Sequence, residues 1–170
     1  DSYGIGELAT RRLIDDGCSR ILCLRNNSRM RMPANKRTDA YHDVVEQAGL
    51  PALVREVEFV KPDDEKGAVV AKILDENPDI DGIFAGDDTM AAICLNVMKQ
   101  RGLSAPDDIK VVGADGARRT MTFMPDLTTV RQDIDRIGEL AAQSIIALIN
   151  GDNPESTIKL PVELIEGKTA

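Results

Sequence analysis

The sequence predicts an α/β fold: a doubly wound parallel sheet with helices on both faces. Short apolar runs such as "RILCL" (20–24), "DGIFAG" (81–86) and "IKVVGADG" (109–116) have the length and composition of strands buried on both faces. Amphipathic stretches of helical length separate them, and strands alternating with helices in this way pair in parallel through right-handed crossovers. Polar residues gather where these strands end: Arg25 onward after "ILCL", Asp87 and Asp88 after "DGIFAG", and Asp115 after "VVGA". Ligands of such sheets bind beyond the carboxyl ends of the strands.

The elements follow in order. "GELATRRLIDDG" is a helix with Leu8, Leu13 and Ile14 on its apolar side, Asp1 or Ser2 as its cap, and Gly17 as a C′ residue. After the strand at 20–24, "PANKRTDAYHDVVEQAG" is a helix with a proline near its first turn. "LVREVEFV" alternates as a strand, and "DDEKGAVVAKILDENP" is a helix stopped by Asn77 and Pro78. "DDTMAAICLNVMKQRG" carries its acids in the first turn, where the helix dipole favours them. "PDLTTVRQD" (125–133) is a short β-branched strand tipped with Arg131, Gln132 and Asp133. A helix over about 134–150 comes next, then a "NGDNPES" turn and a closing strand in "IKLPVELI". Between Leu140 and Ile149 that last helix is apolar nearly all round, a pattern that needs a second covering surface.

At 170 residues the chain can hold one good-sized core, and its 42% apolar content with no low-complexity tract reads as globular. A net charge of −8 argues against the whole chain acting as a nucleic-acid binder, which needs concentrated positive charge. No apolar run is long enough to span a bilayer. The start has neither an initiator methionine nor a signal-peptide pattern, so a fragment of a longer protein is expected. Cys18, Cys23 and Cys94 lack metal-ligand spacing and suit a reducing, cytoplasmic compartment; Cys23 and Cys94 read as small buried hydrophobes.

Several patterns bear on chemistry. Asp87 and Asp88 suit helix capping, or hydrogen bonds to hydroxyl groups with one acid capping while its neighbour faces a cleft; no nearby third ligand supports a metal. His42, the one histidine, has no nucleophile pattern to serve. No G-x-G-x-x-G follows a strand and no P-loop is present, so neither a nucleotide cofactor nor any other is expected. "RNNSRMRMPANKR" (25–37) is a basic island in which Arg29 and Arg31 suit a solvated loop. Arg37 falls in the first turn of a helix starting at the sheet's carboxyl edge, from where a guanidinium can reach a cleft. Arg118 and Arg119 follow Asp115 in a further edge loop.

"AGDDTMA" (85–91), "GLSAPDDIKVVGADG" (102–116), "PDLTTVRQD" (125–133) and "LPVELIEGKT" (160–169) together resemble the effector-binding region of LacI/GalR-family transcriptional regulators, a periplasmic-binding-protein-like fold. The resemblance implies two α/β subdomains joined by crossovers. Residues 17–130 would be the C-terminal subdomain, 1–16 and 131–150 the elements adjoining an absent N-terminal subdomain, and 157–170 the closing strand. It implies a cytoplasmic homodimer that is not an enzyme, that binds a small-molecule effector, a sugar or sugar derivative, and that meets operator DNA through a helix-turn-helix outside this chain. "TTVRQD" would be the last crossover. By motif position the ligand-binding residues would be Arg37, Asp87, Asp115 and Gln132, with no catalytic or metal-binding residue. Two positions depart from the family pattern: Asp87 stands where asparagine is common, and Ala114 where an aromatic is common, which removes a stacking ring. A solute-binding receptor of a sugar transport system shares the two-lobed fold and is the alternative.

Overall fold

The computed structural model of the chain describes residues 1–27, 35–58 and 60–170. Its elements are α1 (Ser2–Asp15), β1 (Ile21–Asn27), α2 (Asn35–Gln47), β2 (Leu53–Glu58), α3 (Asp63–Glu76) and β3 (Gly82–Ala85). They continue through α4 (Asp88–Gln100), β4 (Lys110–Asp115), α5 (Arg118–Phe123), β5 (Thr128–Gln132), α6 (Ile134–Ile149) and β6 (Val162–Ile165). The strands form one sheet in the order β2-β1-β3-β4-β5-β6. All neighbouring pairs are parallel except β5 and β6, which are antiparallel. The closing strand thus seals the β5 edge against the direction of the others. The order reverses between β1 and β3, because β2 lies on one side of β1 and every later strand on the other. A crevice opens at such a reversal, where neighbouring connections leave to opposite faces.

The period-two alternation of strand residues sorts the core into two layers. Leu22 and Leu24 of β1, Ile83 and Ala85 of β3 and Val111 of β4 face Val70, Ile73, Met90, Cys94 and Met98 of α3 and α4. Ile21, Cys23, Phe84, Val112, Ala114 and Val130 point the other way, onto Ile5, Ala9 and Leu13 of α1 and Tyr41 and Val45 of α2. Residues on both sides of position 16, where the family resemblance draws a boundary, share one core. Asp1 caps α1 by accepting from the Gly4 amide at 2.9 Å. Cys23 and Cys94 are buried as expected, as is Cys18. Tyr41 is wholly buried, and its hydroxyl donates to the Ile21 carbonyl (2.7 Å) and accepts from the Leu53 amide (2.8 Å). It thereby ties α2 to β1 and to the start of β2.

One element departs from the sequence reading. The segment after Asp115 is not simply a loop: Arg118 and Arg119 open the six-residue helix α5. Arg29 and Arg31 lie outside the described residues.

Helix α6 is capped by Asp133, whose carboxylate accepts from the Arg136 amide at 2.9 Å. No residue of α6 is buried. Ile134, Ile137, Ile145, Ile146, Leu148 and Ile149 are all exposed, Ile149 by 78%. Covering a large aliphatic side chain is worth about 1.5–3 kcal/mol, so this helix exposes a strong drive to associate.

Two outcomes are expected. Sedimentation of the isolated chain should reveal self-association that the paired substitutions Ile145→Asp and Ile149→Asp weaken; a clean monomer for the parent chain would count against an unpartnered α6. Tyr41→Phe should cost about 1–3 kcal/mol in urea unfolding of the full-length protein, because it strands a buried amide. An unchanged midpoint would mean that the α2–β1–β2 tie carries no net stability.

Candidate functional site

Because β1, β3, β4 and β5 run parallel, their carboxyl ends lie along one edge of the sheet. That edge collects Asn26 from β1, Gly86 and Asp87 after β3, Asp115 from β4 and Gln132 from β5. Arg37 arrives from the first turn of α2. Its position depends on Gly6 of α1, where a Cβ would come within 2.1 Å of the Arg37 carbonyl oxygen. Only a glycine lets α1 pack this closely beneath the arginine.

The Arg37 guanidinium donates to the Gly86 carbonyl and, through Nη2, to Oδ1 of Asp115 at 2.6 Å. Its side chain is only 12% exposed, against 31% for Asp115. Gln132 donates to the same Asp115 Oδ1, also at 2.6 Å. Both donors converge on one oxygen, so among the described residues Asp115 Oδ2 is the acceptor left for a ligand. Asp115 holds an uncommon backbone, φ +100°. Non-glycine residues enter that region at a cost of order 1–3 kcal/mol, and such conformations cluster at functional sites.

Asp87 does two jobs. Oδ1 caps α4 by accepting from the Met90 amide at 2.7 Å, and Oδ2 accepts from the Asn26 side-chain amide. Of the four residues expected at the site, Arg37, Asp115 and Gln132 are joined directly. Asp87 is bonded to none of those three among the described residues; it accepts from Asn26 and follows Gly86, whose carbonyl Arg37 grips. Asn26 is a further member of the cluster, legible only as a polar residue at a strand's carboxyl end.

Asp88 goes inward. It is 3% exposed, and its Oδ1 accepts from the Thr129 hydroxyl of β5 at 2.6 Å. The carboxyl reaches β5 across Gly113 of β4, where a Cβ would lie 2.6 Å from Oδ1. Burial is the main force raising its pKa to about 6; the nearby Asp115 charge adds to the rise, and the Thr129 hydroxyl and the amides of Ala117 and Gly116 oppose it. Three buried polar atoms at this edge, Asn26 Oδ1, Arg37 Nε and Asp88 Oδ2, have no fully formed hydrogen bond among the described residues. Buried polar groups are nearly always satisfied, so such a concentration marks a place where further polar partners are accepted.

Beside Gln132 a hollow of about 700 Å³ lies between the β4–α5 connection, the start of α6 and Pro161–Glu163. Arg118 lines it, but is 89% exposed and paired with Asp135 at 2.9 Å. Arg119 is exposed. Neither adds positive charge to the Arg37–Asp115 cluster. The described residues hold no group of three or more His, Cys, Asp or Glu able to bind a metal, and no helix among them is long and apolar enough to cross a membrane.

A family model described as "Periplasmic binding protein-like domain" matches residues 10–170. The sucrose operon repressor of Lactococcus lactis subsp. lactis is 33% identical over 167 residues, covering 98% of this chain and 51% of that protein. The ribose operon repressor of Halalkalibacterium halodurans is 32% identical over 164 residues, covering 95% of this chain and 48% of that protein. Among solved structures, the complex of the transcriptional regulator CelR with cellobiose superposes with a TM-score of 0.89 at 29% identity, covering all of this chain and 52% of that one. The chain thus spans about half the length of the curated relatives it matches. It belongs to the periplasmic binding protein-like domain family, and the relatives it matches there are operon repressors and transcriptional regulators.

Proposed function

We propose that this chain is the effector-binding and dimerisation region of a cytoplasmic, non-enzymatic transcriptional regulator, and that Arg37, Asp87, Asp115 and Gln132, with Asn26, hold a neutral sugar or sugar derivative. The observation that carries the reading is the convergence of Arg37 and Gln132 on one oxygen of Asp115. It leaves a charged, oriented acceptor beside fixed donors, the arrangement that suits vicinal hydroxyls. The printed names of the relatives, repressors of sucrose and ribose operons and a regulator in complex with cellobiose, support the same ligand class.

A neutral ring fits better than a phosphorylated one. The guanidinium at the site is already matched by Asp115, and the other described arginines of the edge are paired with Glu56, Glu163 or Asp135, or are exposed. A phosphate among Asp87, Asp88 and Asp115 would meet like charge.

In this reading residues 17–130, with α1 packed into their core, form the C-terminal subdomain. Residues 131–150 and 157–170 adjoin an N-terminal subdomain outside this chain, and operator DNA is met by a helix-turn-helix further toward the N-terminus. The ligand favours one relative orientation of the two subdomains. A coupling of about 1–3 kcal/mol between the two sites then changes operator affinity.

Calorimetry on the full-length protein with sucrose, ribose and cellobiose, and with their phosphorylated counterparts, tests the ligand class. A free sugar should bind more tightly than its phosphate. Arg37→Ala and Asp115→Ala should each weaken binding by about 1–3 kcal/mol, since each leaves a buried partner unpaired. Variants that bind as tightly as the parent would remove these residues from the site.

A further inference from the structure

The buried acid behind the cluster is not among the residues that hold the ligand in the reading above. Asp88 is the first residue of α4, yet it neither caps that helix nor faces solvent: Asp87 caps, and Asp88 passes over Gly113 to reach Thr129. Its second oxygen is buried without a hydrogen-bond partner among the described residues, and the amides of Gly116 and Ala117 favour the ionised form of the carboxyl. Those two residues follow Asp115 directly, as the turn between β4 and α5, and Gly116 shares the positive φ of Asp115, +56° against +100°.

We infer that Asp88 is a positioning residue for the ligand site: in its ionised form the carboxylate draws in the Gly116 and Ala117 amides, fixes the turn that presents Asp115, and makes the set of the site dependent on pH. This deepens the effector-binding reading and rests on it. Asp88 touches no ligand in this account; it acts through the backbone that carries Asp115.

The surrounding charges set the direction. Asp115 on β4 is the facing carboxylate, and it is matched by Arg37 of α2. Asp87 is the adjacent acid and is held by Asn26 of β1 and the Met90 amide. From β5 comes the neutral Thr129, while Arg131 of that strand is paired with Glu163 of β6. Arg118 on α5 is paired with Asp135 of α6, and Arg119 is exposed. No cation among these is bonded to Asp88, so burial governs its proton, and uptake falls near neutrality, at about 6. Above that value the carboxylate attracts the two amides. Below it the protonated group keeps Thr129 as neighbour but loses most of its pull on the turn.

The test needs no ligand, so its failure is distinguishable from failure of the sugar-binding reading. Labelling aspartate carbonyl carbons with ¹³C and glycine nitrogens with ¹⁵N selects Asp–Gly pairs, of which this chain has three: Asp16–Gly17, Asp81–Gly82 and Asp115–Gly116. In the full-length protein the Gly116 amide should shift with pH along a single titration with a midpoint of about 6, and Asp88→Asn should abolish that titration. Thr129→Val, which removes a hydrogen bond to the ionised form, should move the midpoint upward; it keeps the test decisive if Asp88→Asn does not fold. A Gly116 amide that does not titrate, a titration that survives Asp88→Asn, or a midpoint unmoved by Thr129→Val would overturn the inference.

Discussion

The arrangement of the site depends on one carboxylate. Asp115 stands at the end of β4, the strand flanked by β3 and β5, in a backbone conformation that costs energy, and it is held there from two sides. Arg37 brings α2 to it and Gln132 brings β5, both at 2.6 Å. A charge-assisted hydrogen bond is shorter and stronger than a neutral one, and a partly buried pair is less screened than a surface pair. The many exposed ion pairs of this chain, such as Arg118 with Asp135, lack that advantage and contribute little. Removing Asp115 would leave Arg37 partly buried beside a single carbonyl.

Close packing makes this geometry possible. Gly6 lets α1 lie against the Arg37 backbone, and Gly113 leaves the space through which Asp88 crosses β4. Neither glycine needs an unusual backbone angle; both are small because another group occupies the place of a side chain. The core therefore does more than stabilise the sheet. It sets how far the polar edge can be displaced, since a shift of α1 or α4 would move a site residue with it.

Much of this was legible in the sequence, for physical reasons. Parallel strands buried on both faces must be apolar throughout, so "GIFA" and "VVGA" stand out, and the polar residues that end them must lie on one edge. Arg37 and Asp115 could be placed together because the fold class brings helix starts and strand ends to that edge. Gln132 came from the motif "PDLTTVRQD" and could not have come from periodicity. The inward course of Asp88 was hidden, because adjacent acids at a helix start look alike until the residue opposite them, here Gly113, is known. The helix at Arg118–Phe123 was also hidden, being too short to carry a helical period. The all-round apolar pattern of 140–149 did announce itself, and the exposed isoleucines of α6 bear it out.

The central claim, that the Arg37–Asp115–Gln132 cluster is where ligand binds, is tested most directly by a crystal structure of the full-length protein with a bound sugar. The account predicts a ring hydroxyl within hydrogen-bonding distance of Asp115 Oδ2, a second at Arg37, and Gln132 and Asn26 at the rim of the same ring. Sugar density away from this edge, for example in the hollow between α3 and α4 beside Gly67 and Ala92, with Asp115 still bonded only to Arg37 and Gln132, would contradict it.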